Sequence, residues 1–446
     1  MTIARTICLG FIAVILVGTL LLLFPFTTAD GNWNHPITAL FTATSAVCVT
    51  GLAVVDTGTH FSFWGQLIIL LLIQVGGLGY MTTNTFLLFL IRKKFDFRQK
   101  VAIQESFDRP FLQGSQNLLL SIISTTIIFE LTGFFLLIPL FSDEDNFLWL
   151  ALFHSVSAWN NAGFSLFSNS LMNYQDSLIT NTVIPILIVF GGLGYQAIFE
   201  MFVWLRQQFN EKILNKNTAT FNLSLNSKIV TNTTIILVIL GTFAFFFTDF
   251  SNQTVFGDLS LKQRVLGAWF QSVTTRTAGF NTVDISAMTD AGLFITIAFM
   301  VIGASPSGTG GGLKTTTLRI LINSTISTLQ GKTNVIIYQR RVPVNLILKA
   351  LGVLCASVTL LTIVTALIAI TDPELSFIQI LFEVCSAFAT VGLSTGITGN
   401  LSALGKLIIV ATMYIGRVGI LIVINTLVRQ SRPSAIQYPE ENLLVG

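Results

Sequence analysis

The sequence predicts an all-α integral membrane protein built from four similar units. Three observations support this fold class: a composition too apolar for a soluble protein, apolar runs of recurring lengths, and one short motif that occurs four times. Of the 446 residues, 52% are hydrophobic and only 10% are charged, whereas soluble domains carry about 25% charged residues. The net charge of +3 is too small to indicate a nucleic-acid partner, so we expect membrane lipid to surround the chain.

Each unit begins with an apolar span that is long enough to cross a bilayer. The four first spans are residues 6–26, 117–141, 229–248 and 346–370. Because a helix rises about 1.5 Å per residue, about 20 residues cross a hydrocarbon core of about 30 Å. The first span could be mistaken for a signal peptide, but it is long enough to span and no small-x-small cleavage motif follows it. We therefore expect it to remain as the first helix of unit one.

A shorter apolar stretch and a second span complete each unit. The short stretches are residues 36–47, 147–159, 262–274 and 376–388. They are too short to cross a bilayer, so they predict re-entrant helices, whose connecting backbone is tolerated only where it lines a water-filled path. The second spans are residues 62–91, 180–205, 291–330 and 402–428.

This pattern predicts four helix–re-entrant helix–helix repeats (M-P-M) around a pseudo-fourfold pore, and therefore eight transmembrane helices. The repeats lie about 113 residues apart and all run in the same direction. Their predicted boundaries are 1–91 for pore repeat 1, 117–205 for pore repeat 2, 229–330 for pore repeat 3 and 344–428 for pore repeat 4, followed by a cytoplasmic C-terminal tail at 429–446.

The distribution of charge predicts the orientation of the spans. The linkers between units are basic and contain Arg92, Lys93, Lys94, Arg98, Lys100, Arg109, Arg206, Lys212, Lys216, Lys228, Arg319, Lys332, Arg340, Arg341 and Lys349. By the positive-inside rule these linkers and both termini are cytoplasmic. The opposite loops are mostly acidic and contain Asp30, Asp56, Asp143, Glu144, Asp145, Asp176, Asp249, Asp258, Asp284, Asp290, Asp372 and Glu374. They are either an outer vestibule that concentrates cations or ordinary solvated loops.

The repeated motif reads L-F-x-x-x-S-A-x-x-x-x-G and ends each short stretch at a glycine. Three copies agree position by position and end at Gly51, Gly163 and Gly392, while the copy that ends at Gly279 is one residue shorter. Glycine reaches positive φ at little steric cost, so successive carbonyl groups can turn toward one axis. Rings of carbonyl oxygens replace the hydration shell of K⁺. The alternative is four tight turns after buried helices.

The candidate ion-binding groups are therefore backbone atoms. The predicted filter residues, with K⁺ at the glycines, are Val49, Thr50, Gly51, Asn161, Ala162, Gly163, Thr277, Ala278, Gly279, Thr390, Val391 and Gly392. None of these loops contains a carboxylate, and the three histidines and four cysteines are scattered along the sequence. We therefore expect neither a metal site of side chains nor an enzyme, and no covalent cofactor.

These stretches resemble the Trk/Ktr/HKT cation-transport superfamily over nearly the whole chain. The resemblance rests on the M-P-M repeat, on one glycine per unit, and on Thr50-Gly51-Leu52, Asn161-Ala-Gly-Phe-Ser165, Arg276-Thr-Ala-Gly-Phe-Asn281 and Thr390-Val-Gly392. Length and short loops are most similar to the membrane subunits of Ktr potassium-uptake systems. The resemblance implies that four filter strands replace the four subunits of a potassium channel, and that glycine at all four positions favours K⁺. It also implies a homodimer and a separate cytoplasmic ring of nucleotide-binding regulatory subunits.

The second span of unit three contains a stretch that cannot continue a helix. Residues 303–317 hold five glycines and Pro306, all of which oppose helix formation. A nucleotide-binding loop is excluded because Leu313 stands where such a loop needs glycine before its lysine. We expect an intramembrane loop that obstructs the pore beneath the filter, as the resemblance also implies, and the alternative is a passive break. The predicted gate residues are Gly303, Ser305, Gly308, Gly310, Gly311, Gly312, Lys314 and Arg417.

Four charged residues within or beside the apolar segments need an explanation. Arg417 lies in the last span; it either faces the inner pore and contacts the carbonyls of the loop, or snorkels to the cytoplasmic surface. Arg276 precedes a filter glycine and must point away from the ion, with Asp284 as a candidate partner. Glu130 and Glu200 either couple transport to protons or cap interfaces between spans.

The sequence and its resemblance together predict potassium uptake across the cytoplasmic membrane. Ions pass the four-repeat filter and are held back by the intramembrane loop, with Na⁺ as a candidate activator. The alternative is a Na⁺- or H⁺-coupled secondary carrier of monovalent cations. Carriers of that type usually show inverted repeats, whereas these four repeats run the same way.

Overall fold

A computed structural model describes residues 3–79, 115–212, 222–248, 260–427 and 441, and this part of the chain is mostly helical. The α-helices are α1 Ile3–Leu23, α2 Pro36–Cys48, α3 Thr57–His60, α4 Phe63–Leu78, α5 Ser115–Leu137, α6 Phe147–Trp159, α7 Leu178–Leu193, α8 Tyr195–Lys212, α9 Leu225–Thr248, α10 Leu261–Thr274, α11 Asp290–Val301, α12 Thr315–Leu329, α13 Val344–Thr371, α14 Phe377–Ala389, α15 Ala403–Val418 and α16 Ile420–Leu427. Two short antiparallel strands, β1 Ile336–Ile337 and β2 Arg340–Arg341, pair between α12 and α13.

The first helix of each predicted unit is long and apolar enough to cross a membrane. These four candidate spans run over Ala4–Leu23, Ser121–Leu140, Leu225–Thr248 and Val344–Thr371. They agree with the predicted first spans to within four residues at each end. Many of their large side chains are exposed, as in Leu20 and Phe243, which is what a lipid-facing surface requires.

The short helices α2, α6, α10 and α14 match their predicted bounds to within one residue. Their beginnings follow from local sequence: Pro36 opens α2, and Ser260 and Ser376 each form a capping box with the glutamine three residues on. Their far ends lie in the core of the protein. The phenylalanine of the repeated motif anchors each helix there, because Phe41, Phe153, Phe270 and Phe382 are all fully buried.

A hydroxyl cap starts the second helix of every unit. Ser62, Ser177, Thr289 and Ser402 each accept a hydrogen bond from the backbone N–H three residues later. Such caps satisfy one of the unpaired amides at a helix start. The serine or threonine is thus a further repeated position, which the sequence analysis did not use.

The second helices end much earlier than predicted. The predicted spans 180–205 and 402–428 are each divided into two helices, since the chain turns by 106° between α7 and α8 and by 98° between α15 and α16. The turning residues are Gly194 and Gly419, with φ of +86° and +95°, a conformation that ends a helix and that glycine adopts without steric cost. In unit one α4 ends at Leu78, and the remainder of the predicted span 62–91 lies outside the described residues.

In unit three the predicted interruption is present, with shifted bounds. Helix α11 ends at Val301 and α12 begins at Thr315, so residues 302–314 form the non-helical segment and Thr315–Thr317 form a first helical turn. By length and composition, the described residues contain four helices able to cross a membrane, or six if each bent pair is one span. The fold is a helical, multi-pass membrane protein. The basic stretch 92–109 and all of the tail 429–446 except residue 441 lie outside the described residues.

Candidate functional site

The four motif glycines meet in one closed ring. A Cβ atom added at Gly51 would lie 3.0 Å from the Cα of Gly163, and one at Gly163 would lie 2.9 Å from the Cα of Gly279. In the same way, a Cβ atom added at Gly279 would lie 3.2 Å from the Cα of Gly392, and one at Gly392 would lie 3.0 Å from the Cα of Gly51. The neighbours follow chain order, so glycines 51 and 279 are opposite each other, as are 163 and 392.

All four loops of this ring share one backbone conformation. Each glycine has a positive φ, between +69° and +93°. The residue two positions before each glycine is also left-handed, although none of these residues is glycine: Val49, Asn161, Thr277 and Thr390 have φ of +57°, +56°, +70° and +51°. This conformation is uncommon for β-branched side chains. Its recurrence in all four loops means that the tertiary structure imposes it.

The hydroxyl of the repeated motif holds each loop from behind. Ser45 and Ser386 accept hydrogen bonds of 3.1 Å from the amides of Gly51 and Gly392. Ser157 and Thr274 instead donate to the carbonyls of Phe164 and Phe280, one residue after their glycines. The motif therefore has two parts with different tasks: the phenylalanine anchors the helix and the hydroxyl positions the loop.

The predicted filter residues are thus all brought together. Each loop contributes three residues to the ring, and the eight of these twelve that are not glycine are fully buried. The four short helices end at these loops, with Cys48, Trp159, Thr274 and Ala389 as their last residues. The negative ends of four helix dipoles therefore converge on the ring, which favours a cation there.

A cavity of about 540 Å³ opens on one side of the ring, and all four glycines line it. Its charged lining residues are Asp56 and Asp284, which come from opposite units. Partial desolvation acts to raise the pKa of Asp56, but hydrogen bonds from Ser168 and from Thr59 and Gly58 outweigh it and lower that pKa below its ordinary value. The cavity wall is therefore acidic, and of the predicted vestibule acids that the structure describes, these two belong to it.

On the opposite side, the 302–314 segment lies directly against the ring loops. A Cβ atom added at Gly310 would be 2.0 Å from the Thr277 hydroxyl, and one at Gly311 would be 2.7 Å from the Thr390 hydroxyl. The amide of Gly311 also donates to Thr390 Oγ1 at 2.8 Å. Because no side chain fits at these two positions, glycine is required for the close approach.

Hydrogen bonds to unit two fix the other half of this segment. The amides of Ser305 and Thr309 donate to the carbonyls of Gly192 and Gly191, at 3.0 and 3.2 Å. Within the segment, the amide of Gly303 bonds the carbonyl of Leu313 at 2.9 Å. The other predicted gate residues also take part: Lys314 Nζ donates to the Gly310 carbonyl at 2.7 Å, and Gly308 bonds back to Ser305. The segment is therefore fixed by hydrogen bonds to both unit two and unit four.

Arg417 reaches this segment from the last turn of α15. One terminal nitrogen of its guanidinium donates to the carbonyl of Thr309 and the other donates to the carbonyl of Gly76. The expected contact with the carbonyls of the loop is therefore present. The contact with Gly76 adds a link to unit one, which the sequence analysis did not predict.

Arg276 lies in the wall behind the ring and is 6% exposed. Within the described residues it forms no ion pair with Asp284, which instead accepts hydrogen bonds from the amide and hydroxyl of Ser286. Its counterpart in unit two is Asn160, whose side chain donates to Gln74 and Glu130 and so points away from the ring. The direction in which the Arg276 side chain points stays a prediction, whereas the suggested ion pair with Asp284 is absent from the described residues.

The two buried glutamates take part in contacts between segments. Glu130 accepts from Asn160 at 3.1 Å, behind the loop of unit two. Glu200 accepts from Gln196 at 3.0 Å and from the amide of Ser224 at 2.9 Å, so it joins α8 to the start of α9. Of the two roles left open by the sequence, these contacts are those of interface caps.

Sequence reasoning missed two buried ionisable residues beside the ring, His154 and Glu383. Both directly follow the phenylalanine of the repeated motif, and both bond to a serine two residues after a ring glycine. The variable position of the motif was passed over because it differs in every copy. The position directly after the phenylalanine holds a polar residue in all four copies, and this pattern could have revealed His154 and Glu383.

Comparison with known proteins identifies relatives along the full length of the chain. The TrkH family, described as "Cation transport protein", matches residues 6–435. The chain is 35% identical over 447 residues to the Ktr system potassium uptake protein B of Bacillus subtilis, covering 99% of this chain and 96% of that protein. It is 36% identical over 450 residues to the potassium/sodium uptake protein NtpJ of Enterococcus hirae, covering 99% and 97%.

A solved structure has the same fold. The crystal structure of the potassium transporter TrkH from Vibrio parahaemolyticus matches with a TM-score of 0.70 and 17% sequence identity, covering 94% of this chain and 85% of that one. The Ktr system potassium uptake protein B of Vibrio alginolyticus is a further relative, 36% identical over 446 residues, with 99% and 94% of the two chains covered. The resemblance inferred from the glycine motifs is thereby confirmed.

Proposed function

Since the chain belongs to the TrkH family of cation transport proteins, we propose that it takes up potassium across the cytoplasmic membrane. Relatives that match nearly its whole length are named potassium uptake proteins. The proposal requires a path for a dehydrated monovalent cation through the protein. It requires no covalent chemistry, so the chain acts as a transporter and not as an enzyme.

The ring of the four glycines is the observation that carries this proposal. The four loops share one conformation, with left-handed residues two apart, and the carbonyl oxygens of Thr50, Ala162, Ala278 and Val391 lie beside neighbouring ring glycines. Carbonyl rings replace the hydration shell of K⁺, and the twelve residues predicted from sequence are the proposed binding groups. The four helix ends and the acidic cavity add a potential that attracts cations.

The 302–314 segment is the proposed gate. It touches the loops of units three and four from the side opposite the cavity, so an ion that leaves the ring meets it. The proposed path leads from the acidic cavity through the ring and stops at this segment until it moves. The membrane potential would drive the ion inward, with about 2.3 kcal/mol per charge per 100 mV.

The proposed architecture has four M-P-M repeats and eight transmembrane helices, with the repeat boundaries predicted from sequence. The cavity then faces the outside, and the basic linkers and both termini face the cytoplasm. The bent pairs α7–α8 and α15–α16 each count as one span, and so do the interrupted α11–α12 and the span that begins with α4. What supports this is the recurrence of caps, short helices and ring glycines in all four units.

The proposed partners are a second copy of the chain and a cytoplasmic ring of nucleotide-binding regulatory subunits, with Na⁺ as an activator. The word "system" in the names of two relatives supports a multi-component assembly. A coupled carrier is the second candidate function, and one relative is named a potassium/sodium uptake protein. Net uptake that requires Na⁺ and saturates at a low rate would favour the carrier.

Initial K⁺ uptake by bacteria that lack their own K⁺ systems tests the proposal. The native chain, expressed with and without a Ktr-type regulatory partner and with and without external Na⁺, is expected to restore uptake. The Gly163→Asp variant is expected to abolish it at equal expression, because a side chain there enters the ring 2.8 Å from the carbonyl of Ala278. Equal uptake by both chains would contradict the proposed path.

A further inference from the structure

The residue after the motif phenylalanine is polar and buried in all four short helices. Thr42, His154, Gln271 and Glu383 occupy this position and are at most 2% exposed. None of the four lines the cavity, so each stands behind the wall of the ring. Two of them are ionisable, and they belong to units two and four, which are opposite each other in the ring.

We call the residues that follow each ring glycine and line the cavity the outer lip of that loop. In unit four, Glu383 holds the outer lip. Its two carboxylate oxygens accept from the hydroxyls of Ser394, at 2.9 Å, and Thr398. Ser394 lies two residues after Gly392, and its oxygen also accepts from the amide of Gly396 at 2.9 Å. The carboxylate is therefore joined to the stretch that follows the ring glycine by two separate hydroxyl groups.

In unit two, His154 makes the corresponding contact. Its Nδ1 lies 2.8 Å from the carbonyl of Leu150, so the neutral ring carries its proton there and Nε2 accepts from Ser165 at 3.0 Å. Ser165 lies two residues after Gly163, and its oxygen accepts from the amide of Phe167 at 3.1 Å. The serine thus has the same two tasks as Ser394 in the opposite unit.

The other two units lack this arrangement. The counterpart of the serine is Ala53 in unit one, which has no hydroxyl. In unit three it is Asn281, whose side-chain amide donates to the carbonyl of Val283. Among the described residues, neither the side-chain oxygen nor the side-chain nitrogen of Gln271 has a hydrogen-bond partner. Among the described residues, a side chain of the short helix thus braces the outer lip in units two and four, whereas in unit three the backbone of Asn281 is held by hydrogen bonds with Ser170 and Leu171 of unit two.

We propose that Glu383 and His154 are positioning residues for ion selectivity, which hold the outer lips of opposite loops through Ser394 and Ser165 and so set the width of the ring entrance. This inference rests on the proposed function of the ring. The smaller Na⁺ ion is coordinated better when the ring carbonyls move inward, whereas K⁺ is coordinated at the wider spacing. Bracing two opposite loops limits that movement across the diameter of the entrance.

The experiment compares K⁺ and Na⁺ uptake rates for variants of Glu383 and its partner at equal membrane yield. Glu383→Ala and Ser394→Ala are each expected to lower the K⁺/Na⁺ ratio by about tenfold, a factor within reach of one buried polar group that has lost its hydrogen-bond partner. Glu383→Gln keeps the shape and can bond both hydroxyls, so it is expected to retain the native ratio. Thr42→Val, at the equivalent position of unit one, is the matched control and should also retain it.

Two results would overturn the inference. One is a native K⁺/Na⁺ ratio in Glu383→Ala, or in Ser394→Ala if the alanine variant at 383 does not reach the membrane. The other is equal loss in Glu383→Gln and Glu383→Ala, which would assign the effect to charge and not to bracing. The Gly163→Asp variant separates this failure from failure of the proposed function. If uptake by Gly163→Asp is abolished while the K⁺/Na⁺ ratios of the Glu383→Ala and Ser394→Ala variants stay native, the ring conducts but these residues do not brace it.

Discussion

In the glycine ring all four units adopt the same backbone conformation. In the layer beneath it, units one, two and four each end their second helix at a single glycine, whereas unit three inserts a loop. We define this lower layer by Gly79, Gly194, Gly419 and residues 302–314. The three glycines have φ of +79°, +86° and +95°. The proposed filter needs four equal contributions, because a cation at its centre would have to be coordinated from all sides. The lower layer has no such requirement, so one unit can differ.

A sequence pattern accompanies this difference. Units one, two and four carry glycines three residues apart, as in Gly191 and Gly194, and the first of each pair packs on a carbonyl of a short helix. A Cβ atom would lie 2.1 Å from the Val47 carbonyl at Gly76, 2.0 Å from Trp159 at Gly191 and 1.9 Å from Phe388 at Gly416. In unit three the pair is Gly303 and Pro306, and Gly303 packs on the carbonyl of Gly311 in its own loop.

Arg417 is the second departure from fourfold likeness. It follows Gly416, and the corresponding residues in the other units are Gly77, Gly192 and Ala304. The one large side chain at this level bonds the one inserted loop, through the carbonyl of Thr309. The two departures therefore act on each other, which is what a gate held closed by a specific contact would show.

The largest effect on the lower layer is expected from deletion of residues 308–312. The deletion removes the Thr309 carbonyl and the amide of Gly311, and with them the contacts to Arg417 and Thr390. K⁺ flux per protein molecule, without a regulatory partner, should rise severalfold while K⁺ stays preferred over Na⁺, since all twelve residues of the ring are kept. Unchanged flux and regulation would mean that the loop is a passive break.

A smaller effect is expected from Arg417→Gln. Glutamine is shorter and neutral, so the positive charge beside the 302–314 segment is removed while the segment keeps its bonds to Gly191 and Gly192. We expect K⁺ flux or the K⁺/Na⁺ ratio to change by about two- to fivefold, consistent with loss of hydrogen bonds to a charged group. Lys406→Gln is the matched control, because Lys406 lies on the same helix and also bonds a carbonyl, that of Gly399, at 2.8 Å. A change in protein yield alone would contradict a role in the path.

The ring was predictable from sequence, and most of the lower layer was not. Apolar length and the repeated motif were enough to place the short helices to within one residue, because burial of Phe41 and its counterparts leaves little choice of register. The bends at Gly194 and Gly419 were missed because an apolar run gives the same composition whether or not it turns. A lone glycine inside such a run does not reveal its φ.

Contacts between distant segments were the other missing part. The partner of Arg276 could not be chosen from sequence, because Asp284 is close in the chain but is used by Ser286. The bonds of His154 and Glu383 depend on loops that return to their own helices after a turn of unknown geometry. By contrast, the contact of Arg417 with the loop was predicted, since few other groups can accept from a buried guanidinium at that depth.

The central claim is that K⁺ crosses the ring of the four glycines, and alanine substitution at each of them tests it most directly. The added Cβ atom would lie 2.5 Å from a carbonyl oxygen at Gly51 and Gly279, 2.8 Å at Gly163 and 2.2 Å at Gly392. The control is Gly396→Ala, which also lines the cavity and has a positive φ of +88°, but has no described atom within 4 Å of the added carbon.

The measurement is the initial rate of K⁺ flux into liposomes that contain each purified variant. Each of the four ring variants should lose at least about tenfold, since positive φ and a close backbone contact both oppose a side chain. Gly396→Ala should remain within about twofold of the native chain, because only the cost of its φ applies. Native flux in a well-folded ring variant, or equal loss in Gly396→Ala, would contradict the account.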